Sequence, residues 1–186
     1  MKNIVIDTAS VYLGGTITDP AELSGLAEHL LGTTKGGVSI TLKPNIRDIE
    51  FDGKLERKVK GMSRVLGWEV SAECEVLELT EKVLNGSLMT KKSDSLTKHD
   101  KYVPSNDLNY KDLVVVGKLL GTKDPIVCVI KNVYNSEGLN LETKDSDEAT
   151  CKMSFQGHYT LGSDEAPCDF YIPKAGGVIQ LSVDEM

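Results

Sequence analysis

A mostly β fold is predicted: two packed antiparallel sheets, a sandwich or barrel, with one or two short helices. Three observations predict it. Two segments alternate strictly between apolar and polar residues. In the first, Trp68, Val70, Ala72, Cys74 and Val76 fall on one side, with Glu69, Ser71, Glu73 and Glu75 on the other. In the second, Ala149, Cys151, Met153 and Phe155 oppose Thr150, Lys152, Ser154 and Gln156. Strand side chains point to opposite faces with period two, so both segments read as half-buried strands. Next, residues 113–116 and 126–133 are continuous runs rich in β-branched side chains, the pattern of strands buried on both faces. Finally, 17 glycines supply turns between short strands, and no internal repeat of fixed period competes with this reading.

Taken in order, residues 1–15 hold two apolar patches, Ile4-Val5-Ile6 and Val11-Tyr12-Leu13, which suit an edge strand or an arm reaching a neighbour. Asp19-Pro20-Ala21-Glu22 has the form of a helix start, with an N-cap Asp and a proline in the first turn. Leu23, Leu26, Ala27, Leu30 and Leu31 recur at helical spacing, predicting about three turns over 19–32, although Gly25 and Gly32 also allow an extended arm. Gly36-Gly37 is a turn that opens an alternating limb, 38–42, and the alternation resumes after Pro44 at Ile49-Glu50-Phe51. Asp52-Gly53 is a strong turn dipeptide, and the Trp68 strand is the return limb of a long β ribbon. Thr80 offers an N-cap oxygen, Glu81 suits the first turn, and Gly86 ends a short helix.

Residues 89–112, polar and carrying Pro104, read as a long surface loop. Gly117 to Pro125 is the length of a hairpin connection. Leu139 and Leu141 alternate with Asn140 and Glu142, and Phe170-Tyr171-Ile172 and 178–183 complete the strand set. The predicted core includes Trp68, Val70, Cys74, Val76 and Phe155; with Trp68 buried, Trp68→Ala is expected to cost roughly 3–5 kcal/mol.

A chain of 186 residues buries roughly 70% of its unfolded surface, enough for one core. One domain spanning 1–186 is expected, with 1–35 as an N-terminal arm or helical segment. A net charge of −7 argues against a nucleic-acid-binding module, which clusters Lys and Arg, but not against letting DNA pass. The opening residues carry Asp7 and no long apolar run, the pattern of neither a signal peptide nor a membrane span; synthesis in the cytoplasm and no membrane partner are expected. Cysteines 74, 128, 151 and 168 lack CxxC spacing and sit in or beside apolar runs, so they read as buried free thiols.

Catalytic patterns fail one by one. His29, His99 and His158 are far apart in sequence, with no second ligand at metal spacing. Thr33-Thr34-Lys35-Gly36-Gly37 lacks the order of a phosphate loop and precedes a strand. There is no GxSxG elbow, and the carboxylates at 69, 73 and 75 share a polar strand face with nothing to raise a pKa. No enzyme, cofactor or metal is expected.

The order of elements in LGTTKGGVSI, a polar strand, the Phe51-Asp52-Gly53 turn, Val59-Lys60-Gly61, a Trp-led strand and a short helix resembles the major tail (tail tube) proteins of long-tailed bacteriophages. Residues 126–133 and the strand ending in Phe155-Gln156-Gly157-His158-Tyr159 extend the resemblance over most of the chain. It implies hexameric rings that stack into a tail tube, a virion structure made in the bacterial cytoplasm and used for DNA passage into the host. The implied partners are the chain itself, the tail tip or initiation complex, the tape measure protein and the tail terminator protein. Double-stranded DNA passes transiently without specific binding.

By the same resemblance the polar face carrying Glu69, Ser71, Glu73 and Glu75 is the candidate lumen lining, where summed negative charge repels the DNA backbone; a merely solvated outer face explains the same residues. The loop 52–67 is the candidate ring-to-ring contact, through Lys54, Arg57, Lys58, Lys60 and Arg64. Two alternatives share the residues: the tube protein of a contractile tail or tail-derived injection particle, and a monomeric β-sandwich binding module. One Trp and 5% aromatics are poor material for the binding platform of the latter.

Overall fold

The computed structural model describes residues 5–17, 19–20, 22–53, 57–92, 98–119, 124–143, 145 and 147–173. The chain forms β1 (Val5–Leu13), a 3₁₀ helix (Ser24–His29), β2 (Thr34–Asp48), β3 (Ser63–Val76), α1 (Glu81–Gly86), β4 (Met89–Lys91), β5 (Tyr102–Pro104), β6 (Lys111–Leu119), β7 (Ile126–Asn135), β8 (Asn140–Glu142), β9 (Thr150–Gly157) and β10 (Cys168–Tyr171). The fold is mostly β, and its strands make two antiparallel sheets that do not close into a barrel.

One sheet runs β1-β6-β7-β10 and the other β2-β3-β9-β8, with β7 belonging to both. The change of sheet happens inside β7. Lys111 pairs with Val133 but Leu113 with Ile130, so Lys131 and Asn132 of β7 oppose Asp112 alone and β7 carries one extra residue. Asn132 takes a positive φ of 51°, a conformation that asparagine tolerates better than most residues. Its backbone N–H, lost to the ladder, donates to Asp112 Oδ1 at 3.0 Å, and its side-chain amide donates to the His158 carbonyl at 3.2 Å. Beyond this corner Tyr134 and Asn135 pair with β9. Strands that switch sheets through a bulge are how sandwich corners are built.

Between the sheets lies the main core: Val70, Ala72, Cys74 and Val76 of β3 and Cys151, Met153 and Phe155 of β9 face Val11, Leu113, Val115, Cys128, Ile130 and Val133. The second, smaller cluster covers the other face of the β6–β7 sheet, where Val114, Val127 and Val129 meet Leu26 of the 3₁₀ helix, with Leu23 and Ile17 beside them. Successive residues of β6 and β7 therefore enter different cores, which is why these strands read as unbroken apolar runs.

Three expectations change. The helix predicted over 19–32 is a 3₁₀ helix of six residues, and its N-cap Leu23 makes no side-chain cap. The Asp19 carbonyl accepts from the Glu22 N–H in a backbone turn, and Leu30 bridges to Tyr12, so the sheet claims the last turn of the predicted helix. Gly36-Gly37 is a bulge inside β2 rather than a turn before it, because Lys35 pairs with Glu75 and Val38 with Cys74. The 89–112 segment holds a small hairpin, β4 with β5, before β6 begins. The predicted strand at 178–183 lies outside the described residues. The α1 start matches its signal: Thr80 Oγ1 accepts from the Val83 N–H at 3.3 Å.

Asn135 is fully buried and satisfies its surroundings from both ends. Its Oδ1 accepts from the N–H groups of Glu137 and Ser154, and its amide donates to the Gly138 carbonyl at 2.6 Å. Asn135→Ala leaves these groups unpaired in a buried turn, and a loss of about 2–3 kcal/mol in urea unfolding is expected, with an unchanged slope.

Candidate functional site

The longest strand pair in the molecule outgrows the body that supports it. β9 covers β3 only from Val70 to Val76, while β2 and β3 continue paired out to Asp48 and Ser63. Beyond Val70 the two strands form a ribbon that, among the described residues, pairs with no third strand. The inner, apolar face of the sheet continues along it. On β2 the face carries Val38, Ile40, Leu42, Pro44 and Ile46, opposite Cys74, Ala72, Val70, Trp68 and Val65. Val38 and Ile40 pack on the core, but Leu42 is 38% exposed and Ile46 55%. Val65 is 52% exposed, and Leu66, the residue bulged out of register between Val65 and Gly67, is also exposed. Ile49, Phe51, Val59 and Met62 at the tip are exposed too.

Trp68 belongs to this stripe and not to the core. Val70, Cys74, Val76 and Phe155 are buried, whereas Trp68 is 39% exposed. The alternation gives the correct face, but the second layer ends before position 68. The ribbon base is tied down by one bond: the Trp68 N–H, past the end of β9, donates to Tyr159 Oη at 2.7 Å. Val65, Leu66, Gly67, Trp68 and Tyr159 line an open groove there.

Of the candidate basic residues, Arg57, Lys58 and Lys60 are exposed near the tip, and Arg64 is exposed within β3, paired with Arg47. Lys54 lies outside the described residues. Stacked arginines across a strand pair repel, so the ribbon's positive character extends further down than the loop alone suggests.

Glu69, Ser71, Glu73 and Glu75 share the outer face of the second sheet, where lysines of the neighbouring strands stand beside two of the three glutamates. Lys43 stands opposite Glu69 and Lys35 opposite Glu75 on β2, and Lys152 stands opposite Glu75 on β9. Glu73 lies between Ser39 and Ser154. Of these pairs Lys43 and Glu69 approach to 3.7 Å, so lysines interrupt the glutamate row at Glu69 and Glu75 but not at Glu73. The glutamates of β3 are therefore not a continuous acidic row, because one strand's charge pattern omits what its neighbours place beside it. Negative charge gathers only at one end, where Lys35 Nζ meets Asp147 at 2.6 Å and Glu148 at 3.0 Å. The hydrogen bond from Lys35 holds the Asp147 carboxyl well below the usual range.

The apolar ribbon residues Leu42, Ile46, Val65 and Leu66 escape a reading that looks for charged or catalytic groups. Their signal is length, because even-numbered apolar positions on β2 run further than one sandwich layer needs. No protein-family model matches the chain, and no curated protein matches it.

Proposed function

We propose that the chain is a structural subunit of a self-assembling tube, of the kind formed by tail tube proteins of long-tailed bacteriophages. Rings, hexameric by that resemblance, stack into a virion channel through which DNA passes. The carrying observation is the ribbon: a core-facing apolar stripe that leaves the core and stays 38–55% exposed at Leu42, Ile46, Val65, Leu66 and Trp68. An isolated two-stranded ribbon is marginal in water, and a contiguous apolar patch on it marks a contact surface.

The second support is the edge of β2, fifteen residues long, whose one strand partner among the described residues is β3. Long open edges invite strand pairing, and a ring that joins edges head to tail removes them. Glu69, Glu73 and Glu75 interrupt the lysines on the proposed lumen face, so among the described residues DNA phosphates find no continuous line of cations there to hold them. The tail tip complex, tape measure and terminator proteins are the partners this role requires, and neither cofactor nor catalysis enters.

Negative-stain electron microscopy of the concentrated purified protein, alone and with the tail initiation complex, tests the proposal. Stacked rings or hollow tubes are expected. A monomer in both arms overturns it.

A further inference from the structure

Cys128 on β7 and Cys168 on β10 bring their sulfurs to 3.7 Å. Cys168 is opposite Ile130 and Phe170 opposite Cys128, so the two thiols are diagonal neighbours across the strand pair. Cys128 is buried in the core, while Cys168 is only partly buried, on a four-residue strand whose one strand partner among the described residues is β7. The other two cysteines make an internal control. Cys74 is opposite Met153 and Val76 opposite Cys151, the same diagonal relation on β3 and β9. Both of those are buried, and burial pushes the Cys74 thiol up to about 12.

We propose that Cys128 and Cys168 are a redox-active dithiol that closes to a reversible cross-strand disulfide under hydrogen peroxide, stapling β10 to β7. Cys168 is the attacking thiol. The hydrogen bond between the two sulfurs holds the Cys168 thiol below its ordinary range, against the opposing effect of burial. Lys131 adds to this, while Asp169, ion-paired to Lys131 at 2.8 Å, opposes it. Cys128 is shifted upward and keeps its proton. The thiolate is the nucleophile in such chemistry, and partial exposure gives the oxidant access.

The step balances as follows. The Cys168 thiolate attacks one peroxide oxygen, the O–O bond breaks, and hydroxide leaves and takes up the proton Cys168 released. Cys128 sulfur then attacks the sulfenic sulfur. The S–S bond forms, the S–O bond breaks, and hydroxide departs with the Cys128 proton as a second water. Two thiols are oxidised and one peroxide is reduced. The sulfurs must approach from 3.7 Å to about 2.05 Å. A short edge strand absorbs that movement more readily than the buried β3–β9 pair does.

This inference does not depend on the assembly reading, and its test uses the unassembled full chain. The native protein is treated with hydrogen peroxide, quenched in denaturant with N-ethylmaleimide, and mapped by peptide mass spectrometry. A Cys128–Cys168 linked peptide is expected, with Cys74 and Cys151 alkylated, reversal by dithiothreitol, and a Tm higher by roughly 5 °C. Cys168→Ser removes the linked peptide and Cys74→Ser leaves it. A Cys74–Cys151 link, Cys168 dimers between chains, or Cys168 over-oxidised beside an intact Cys128 thiol overturns the proposal.

Discussion

Phe155→Ala is expected to destabilise the protein by about 3–5 kcal/mol, more than any truncation along the ribbon. The Phe155 side chain is among the largest fully buried ones, and it sits where β9 meets both β3 and the end of β7. It lies opposite Ala72 on one side and Asn135 on the other, so its removal opens a cavity at the join between the sheets. Little can collapse into that space, because the neighbours belong to paired strands. Trp68→Ala provides the contrast. Its indole has the greater volume but is 39% exposed, and a cost below about 2 kcal/mol is expected in place of the 3–5 implied by full burial. Urea unfolding of the two variants beside the parent decides the order. A Trp68 variant as unstable as the Phe155 variant would show that the ribbon base is part of the folding core.

That contrast also locates what was legible in the amino-acid order. Period-two alternation places Val70, Cys74, Val76 and Phe155 inward because side-chain direction is a local property of a strand. Unbroken runs at 113–116 and 126–130 mark strands buried on both faces for the same reason, each face having its own core. Where the opposing layer stops is not local. It depends on β9 ending at Gly157, which decides the fate of Trp68 from a distance in sequence. The charge of the outer face is equally non-local. Glu69, Glu73 and Glu75 look like an acidic row until pairing sets Lys35, Lys43 and Lys152 beside them. The thiol pair at 128 and 168 also depends on strand order, since no spacing rule joins residues on two strands separated by β8 and β9.

Replacing two stripe residues by a matched ion pair, Ile46→Lys with Val65→Glu, is expected to abolish tube formation while leaving the subunit folded. The two positions are directly opposed in the ribbon, so opposite charges there preserve strand pairing, and both side chains are already more than half exposed. Unfolding of the unassembled variant should therefore match the parent within about 0.5 kcal/mol. The proposed assembly would respond differently, because each apolar side chain buried at a contact contributes roughly 1.5–3 kcal/mol, and a ring would repeat that contact in every subunit. Reversing the tip charges, Arg57→Glu with Lys60→Glu, acts through exposed pairs of only about 0–1 kcal/mol each. It should shorten tubes and reduce the sensitivity of tube length to salt without preventing nucleation. Tube length by negative stain, measured for both variants across a salt series, separates the two contributions. Full-length tubes from the Ile46→Lys, Val65→Glu protein would remove the ribbon stripe as the assembly surface, even if rings form by another edge. Tubes lost from the charge-reversed protein alone would assign assembly to the basic tip and leave the apolar stripe without a role.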